Sequence, residues 1–213
     1  LAKGWTLGFA QELKLLQDVG DSGSCNLNVM CGPPNGPFQD PQTRNQAAAT
    51  GKLVFTVPSG GTARCTGTLI VDAPGSFTPY LYGANHCFET AYEAFTLNVW
   101  WFFDATACSS PATPGNYVVQ TGGAALLGRS QDWDWALLRL NTAPPEGVWF
   151  SGWDAATVGS GVGVESVHHP SGDLKKWSQG TLTDFGFFGD LGAYGNFNQV
   201  TWNAGTTEGG SSG

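Results

Sequence analysis

Past Lys52 the chain alternates short apolar runs with punctuation rich in Gly, Pro and Asn. Such runs read as strands rather than helices, because each is short, bounded by turn residues and rich in β-branched or aromatic side chains. The pattern predicts strands over 53–57, 66–71, 80–84, 95–103, 117–127 and 135–140, then a second set over 162–167, 177–183 and 199–202. Pro58-Ser-Gly-Gly61 is a turn signal between the first two, and Asn141–Pro145 reads as a crossover between the sets. Before Lys52 the pattern differs. Leu7, Ala10, Leu13 and Leu16 recur at three-residue spacing, which makes residues 7–18 the one segment with helical character. Residues 25–44 are rich in Pro, Gly and Asn and read as an irregular strap. The prediction is an all-β protein of two packed six-stranded-type antiparallel β-barrels, the second incomplete within these residues. The division expected is an N-terminal extension or propeptide remnant at 1–22, the strap and first barrel at 23–140, and a partial second barrel at 141–213.

Composition sharpens that picture. Hydrophobic residues make up 41% of 213, enough for a real core, while charged residues are only 12% and Gly is abundant at 31. The net charge of −8 with nine Lys plus Arg leaves no cation cluster for a phosphate backbone, so nucleic acid is not an expected partner. No run approaches the ~20 apolar residues of a membrane span. No leader of the secretory type opens at Leu1, so the numbering is expected to start after processing.

The five cysteines are an odd number, which is informative in an exported protein. Cys65 and Cys87 flank a strand-turn-strand segment, and Cys25, Cys31 and Cys108 remain. Cys25 and Cys31 form the one close pair, with no second pair at metal-ligand spacing, so a disulfide framework and an oxidising compartment are favoured over zinc. Neither a metal nor an organic cofactor is expected.

Three motifs carry chemistry. Gly205-Thr-Thr-Glu-Gly-Gly-Ser-Ser-Gly213 has the form of a serine nucleophile loop. Ser212 is the candidate nucleophile, and the N–H groups of Gly210 and Ser212 are the candidate oxyanion hole. A serine hydroxyl needs a base within hydrogen-bond reach, and the base needs a group that fixes its tautomer. His86, in Asn85-His-Cys87 after an apolar strand, is the candidate base. Asp134, at the head of Trp135-Ala-Leu-Leu-Arg-Leu140, is the candidate orienter, with Asp132 as its alternative. His, Asp and Ser follow one another in the chain order of chymotrypsin-like proteases.

At this point a resemblance is plain. The chain resembles the lysyl endopeptidase branch of the chymotrypsin-like serine proteases through seven stretches in order. They are residues 23–31, Cys65-Thr-Gly-Thr-Leu-Ile70, Ala84-Asn-His-Cys87, Asp134-Trp-Ala-Leu-Leu138, Ser151-Gly-Trp-Asp154, His168-His-Pro170 and 207–213. The resemblance implies Cys65–Cys87 and Cys31–Cys108 disulfides. It also implies a chain that continues past Gly213, through the strands that wall the specificity pocket, to a partner for the unpaired Cys25. Thr207, Glu208 and Gly209 would then border the substrate pocket. Phe188 would stand where the family places a tryptophan over the base. Residues 1–20 extend beyond the family's usual mature start near Gly20.

The remaining features are read as structural. His168-His169 would point to opposite faces of a strand and chelate one ion poorly. Val99-Trp-Trp-Phe-Phe103 reads as barrel core rather than a carbohydrate platform, and Lys175-Lys176 as a solvated pair. The expected function is a secreted, extracellular or periplasmic, serine endopeptidase acting on protein or peptide substrates. The alternatives are an inactive protease-like binding or structural module, or a carbohydrate-binding β-domain.

Overall fold

A computed structural model describes residues 20–31, 40–110, 112–113, 115–187 and 196–213. The segment 7–18 and Phe188 lie outside the described residues.

Two antiparallel sheets carry the fold. Strand β1 (Leu27–Asn28) is followed by helix α1 (Pro41–Ala49) and strands β2 (Thr50–Thr56), β3 (Thr62–Ile70) and β4 (Tyr80–Gly83). Helix α2 (Ala91–Phe95) then precedes β5 (Asn98–Trp101), β6 (Val118–Gln120), β7 (Ala124–Ser130) and β8 (Trp135–Leu140). The second set is β9 (Gly163–His168), β10 (Lys176–Phe187) and β11 (Asn196–Ala204). The first sheet has the order β6-β5-β2-β3-β4-β8-β7; in the second, β10 lies between β1 and β11 and also pairs β9. The Pro58–Gly61 turn closes the β2–β3 hairpin, with Val57 N–H donating to the Gly61 carbonyl at 2.8 Å.

The differences from the sequence reading have local causes. Two short helices lie outside the predicted elements: one begins in the strap and runs to Ala49, and the other, ending at Phe95, falls between the strands expected at 80–84 and 95–103. Asp40 caps α1 by accepting from Gln42 and Thr43 N–H, with Pro41 at the first helical position. Thr90 and Glu93 form a reciprocal capping box on α2. The run 117–127 is two strands, because Gly122 and Gly123 both take positive φ (108° and 68°) and turn the chain. A Cβ on Gly123 would sit 2.2 Å from the Phe95 carbonyl oxygen, so no other residue fits there.

The first sheet wraps an apolar core that includes Leu53, Leu69, Leu81, Phe88, Trp101 and Leu138. Trp100, Trp101 and Phe103 are buried, as expected of core, and Trp100 stacks on Tyr117 at 5.3 Å. The junction toward the second sheet is packed differently. Lys175 and Lys176 are not solvated: they are 0% and 7% exposed. Lys175 Nζ pairs with Asp104 at 2.9 Å and donates to the Ala47 carbonyl at 2.6 Å. Lys176 Nζ reaches Asp173 at 3.1 Å and Asn28 Oδ1 at 2.6 Å. Those partners are distant in sequence or in loops, so local pattern gave no sign of the burial. Cys31–Cys108 and Cys65–Cys87 are disulfide-bonded, and Cys25 is free and exposed.

Candidate active site

Strand β4 delivers the chain into a single 3₁₀ turn, Asn85–Cys87, on which His86 sits. The Cys65–Cys87 disulfide ties this turn to β3, and Arg129 Nη1 donates to Asn85 Oδ1 at 2.8 Å from β7. His86 therefore rests on a corner held from two sides, while its own side chain stays half exposed.

Asp134 stands immediately before β8 with φ +46°. Aspartate tolerates this left-handed conformation better than most residues, and it ends the turn whose Asp134 N–H reaches the Gln131 carbonyl. Its carboxylate meets His86 with both oxygens. Oδ2 lies 2.7 Å from His86 Nδ1, and Oδ1 accepts the His86 backbone N–H at 2.9 Å. This two-point contact fixes the ring's position, and with the carboxylate as acceptor it is Nδ1–H that donates, so Nε2 is the ring nitrogen not taken up by Asp134. Nearby, burial first and the Asp134 charge second raise the pKa of Tyr82 above its ordinary value.

Ser212 arrives from the other sheet. After β11 the chain turns at Gly205 and runs back over β3. Thr66 holds the loop through its two ends, donating from Oγ1 to the Gly210 carbonyl at 2.9 Å and from N–H to the Ser212 carbonyl at 2.8 Å. Ser171 N–H donates to the Gly209 carbonyl at 2.6 Å. Gly210 has φ +91°, and a Cβ there would lie 2.8 Å from the Ser171 nitrogen, so glycine is required on both counts. With both carbonyls bonded to Thr66, the N–H groups of Gly210 and Ser212 donate to no main-chain carbonyl among the described residues.

His86, Gly209, Gly210 and Ser212 line one cleft of about 530 Å³, whose other walls include Val57 and Glu89. No hydrogen bond joins Ser212 Oγ to His86 among the described residues; catalytic hydrogen bonds are often long before substrate arrives. Glu208 does not line this cleft. Its carboxylate accepts from Gly23 N–H at 3.1 Å and Ser171 Oγ at 3.2 Å, which makes it a tether for the N-terminal strap. Thr207 Oγ1 accepts from Trp202 Nε1 at 3.3 Å.

The sequence reading missed Thr66. Its threonine follows the disulfide cysteine in an ordinary strand, and its partners lie about a hundred residues or more further on. His168 and His169 are both buried, and each has its pKa lowered chiefly by burial, His168 to about 4. Among the described residues no group of three or more His, Cys, Asp or Glu side chains is arranged to hold a metal ion.

Two antiparallel sheets with a His–Asp pair on one and a serine loop crossing from the other define a chymotrypsin-like fold. Solved structures share it at low identity. A protease from M. tuberculosis, Rv3671c in its active form, superposes with TM-score 0.54 at 15% identity, covering 90% of this chain and 74% of that one. The HtrA-type protease AlgW with a tripeptide gives 0.52 at 16%, covering 79% and 46%.

Sequence similarity is more specific. Residues 19–213 match the family described as "Lysyl endopeptidase, C-terminal domain", and the chain belongs to that family. A relative from Pseudomonas aeruginosa, named lysyl endopeptidase, is 38% identical over 200 residues, 91% of this chain. The chain spans 42% of that relative's length.

Proposed function

We propose that this chain is the catalytic part of a serine endopeptidase. Ser212 Oγ attacks the scissile carbonyl carbon while His86 Nε2 takes its proton, and the carbonyl oxygen, now an oxyanion, accepts from the N–H groups of Gly210 and Ser212. Asp134 stabilises the imidazolium that forms. His86 then gives the proton to the leaving amine, the C–N bond breaks, and an acyl-enzyme remains on Ser212. Water, deprotonated by His86, attacks the acyl carbon. The C–O bond to Ser212 then breaks as His86 returns the proton to Oγ, which releases the acid product and restores the serine. The observation that carries this reading is the 2.7 Å His86–Asp134 contact in a cleft that Ser212 also lines.

Residues 23–140 supply base and orienter, and residues 141–213 supply the nucleophile, with β1 crossing to pair with β10 of the other sheet. Two disulfides fit an exported protein, because reducing compartments do not sustain them. Cys25, exposed and free, pairs on this reading with a cysteine outside residues 1–213.

The test is hydrolysis of casein or a peptide library by the full-length protein. Cleavage that disappears in Ser212→Ala supports the reading. A folded wild-type protein that cleaves nothing would favour the protease-like binding module instead.

A further inference from the structure

The nucleophile loop is held through its backbone by Thr66 of the first sheet, and the side chain beside the nucleophile is held by the second sheet. Ser211 Oγ lies 2.8 Å from Nδ1 of His168, at the end of β9. His168 Nε2 lies 2.8 Å from Ser178 Oγ on β10. Ser178 Oγ in turn donates to the Thr206 carbonyl at 2.8 Å, and Glu208 N–H donates to Ser211 Oγ at 3.2 Å.

Each hydroxyl has one proton, and this fixes every direction in the chain. Ser178 spends its proton on Thr206, so toward His168 it accepts, and Nε2 carries the hydrogen. His168 Nδ1 is then an acceptor and takes the Ser211 hydroxyl proton, while Ser211 Oγ accepts from Glu208 N–H. The chain begins and ends in the same loop, at residues 208 and 206, and passes through two strands of the second sheet on the way. His168 is 1% exposed and Ser178 0%, so the bond between them is shielded from water, while Ser211 is half-buried. The burial that holds the His168 pKa near 4 keeps the ring neutral, as this chain requires.

We propose that His168 is a positioning residue for catalysis: through Ser211 it fixes the orientation of the 211–212 peptide, whose N–H is an oxyanion donor. Thr66 holds the Gly210 and Ser212 carbonyls on either side, and Ser211 N–H donates to the Glu208 carbonyl at 3.0 Å. The 211–212 peptide itself has no other side-chain anchor among the described residues, so losing this one loosens the aim of its N–H. The inference rests on the assignment of Ser212 as nucleophile.

The test uses the full-length protein and the rate at which a fluorophosphonate modifies Ser212. Labelling of the wild type checks the underlying assignment separately. Ser211→Ala and His168→Phe are each expected to lower the labelling rate by about ten- to a hundredfold, part of the 10²–10³ lost with a whole oxyanion donor. The double variant is expected to fall no further than the worse single one, since both break one chain. His168→Gln, which can accept from Ser211 and donate to Ser178, is expected to recover most of the rate. Ser211→Ala is a small change that retains the fold even if His168→Phe does not. The proposal is overturned if Ser211→Ala labels within twofold of wild type, if losses in the double variant multiply, or if Gln is no better than Phe.

Discussion

The two sheets position their halves of the site by opposite means. The first sheet sets His86 and Asp134 at the ends of strands whose inward faces are almost wholly apolar, from Leu53 and Leu69 to Leu138. The second holds the Ser212 loop through buried polar groups: His168 bonds Ser211, Ser178 bonds the Thr206 carbonyl, and the His168 and Ser178 side chains are almost wholly buried. Apolar packing is non-directional, and tolerates small shifts of the whole strand. A buried hydrogen-bond network is directional and costly to leave half satisfied. The base and its orienter need only meet each other, and they do so with two contacts of their own. The oxyanion donors are backbone N–H groups, whose direction must be set by whatever the loop touches.

The largest expected effect tests the first sheet's own contact. Asp134→Asn removes the carboxylate but keeps the shape, and is expected to lower turnover by about 10⁴-fold. Because the pair is partly exposed, the melting temperature is expected to stay close to wild type. Two substitutions next separate the sheets. Ser178→Ala leaves His168 Nε2 and the Thr206 carbonyl without their partner and is expected to cost about 1–3 kcal/mol, with a slower Ser212 labelling rate per folded molecule. Leu138→Ala is expected to cost about 2–5 kcal/mol but to leave that rate unchanged. Urea unfolding and labelling of the same samples measure both. Equal rates for the two variants would break the contrast between the sheets.

Acid is expected to act on the second sheet. His168 and His169 are neutral when folded, with pKa values below 6.5, whereas in the unfolded chain each takes a proton near 6.5. The unfolded state therefore binds more protons as pH falls. The stability they contribute is complete above pH 6.5 and is lost toward pH 4, by on the order of 3 kcal/mol for His168. Groups facing these rings are Glu208, Lys176, Lys175 and Lys52. Lys52, with burial lowering its pKa to about 7, adds a further rise in stability between pH 7 and 10.5, since there the unfolded chain holds the proton the folded one has lost. Denaturant midpoints across pH 4–10 read both limbs. Thr90→Ala, which removes the capping box of α2 beside the first sheet, is the smallest change, about 1 kcal/mol.

The contrast also explains what sequence could and could not say. Apolar runs show their period locally, so β2, β3, β4 and β8 are legible, and with them the corners at His86 and Asp134. Asp40-Pro41 and Thr90-x-x-Glu93 are capping signals present in the sequence, but the helices they open are short and carry no strong apolar period of their own. The polar junction has no local period. His168 meets Ser211 across 43 residues and Lys175 meets Ala47 across 128, and neither partner type marks itself as a partner. Lys175-Lys176 accordingly read as a solvated pair, when both are buried.

The central claim is that Ser212 is a nucleophile activated by the His86–Asp134 pair. Mapping by mass spectrometry of the residue that a fluorophosphonate modifies in the full-length protein tests it most directly. The account predicts a single adduct on Ser212, lost in His86→Ala and slowed in Asp134→Asn. A folded protein that takes no adduct, or takes it on Ser211 or elsewhere with Ser212 untouched, would contradict it.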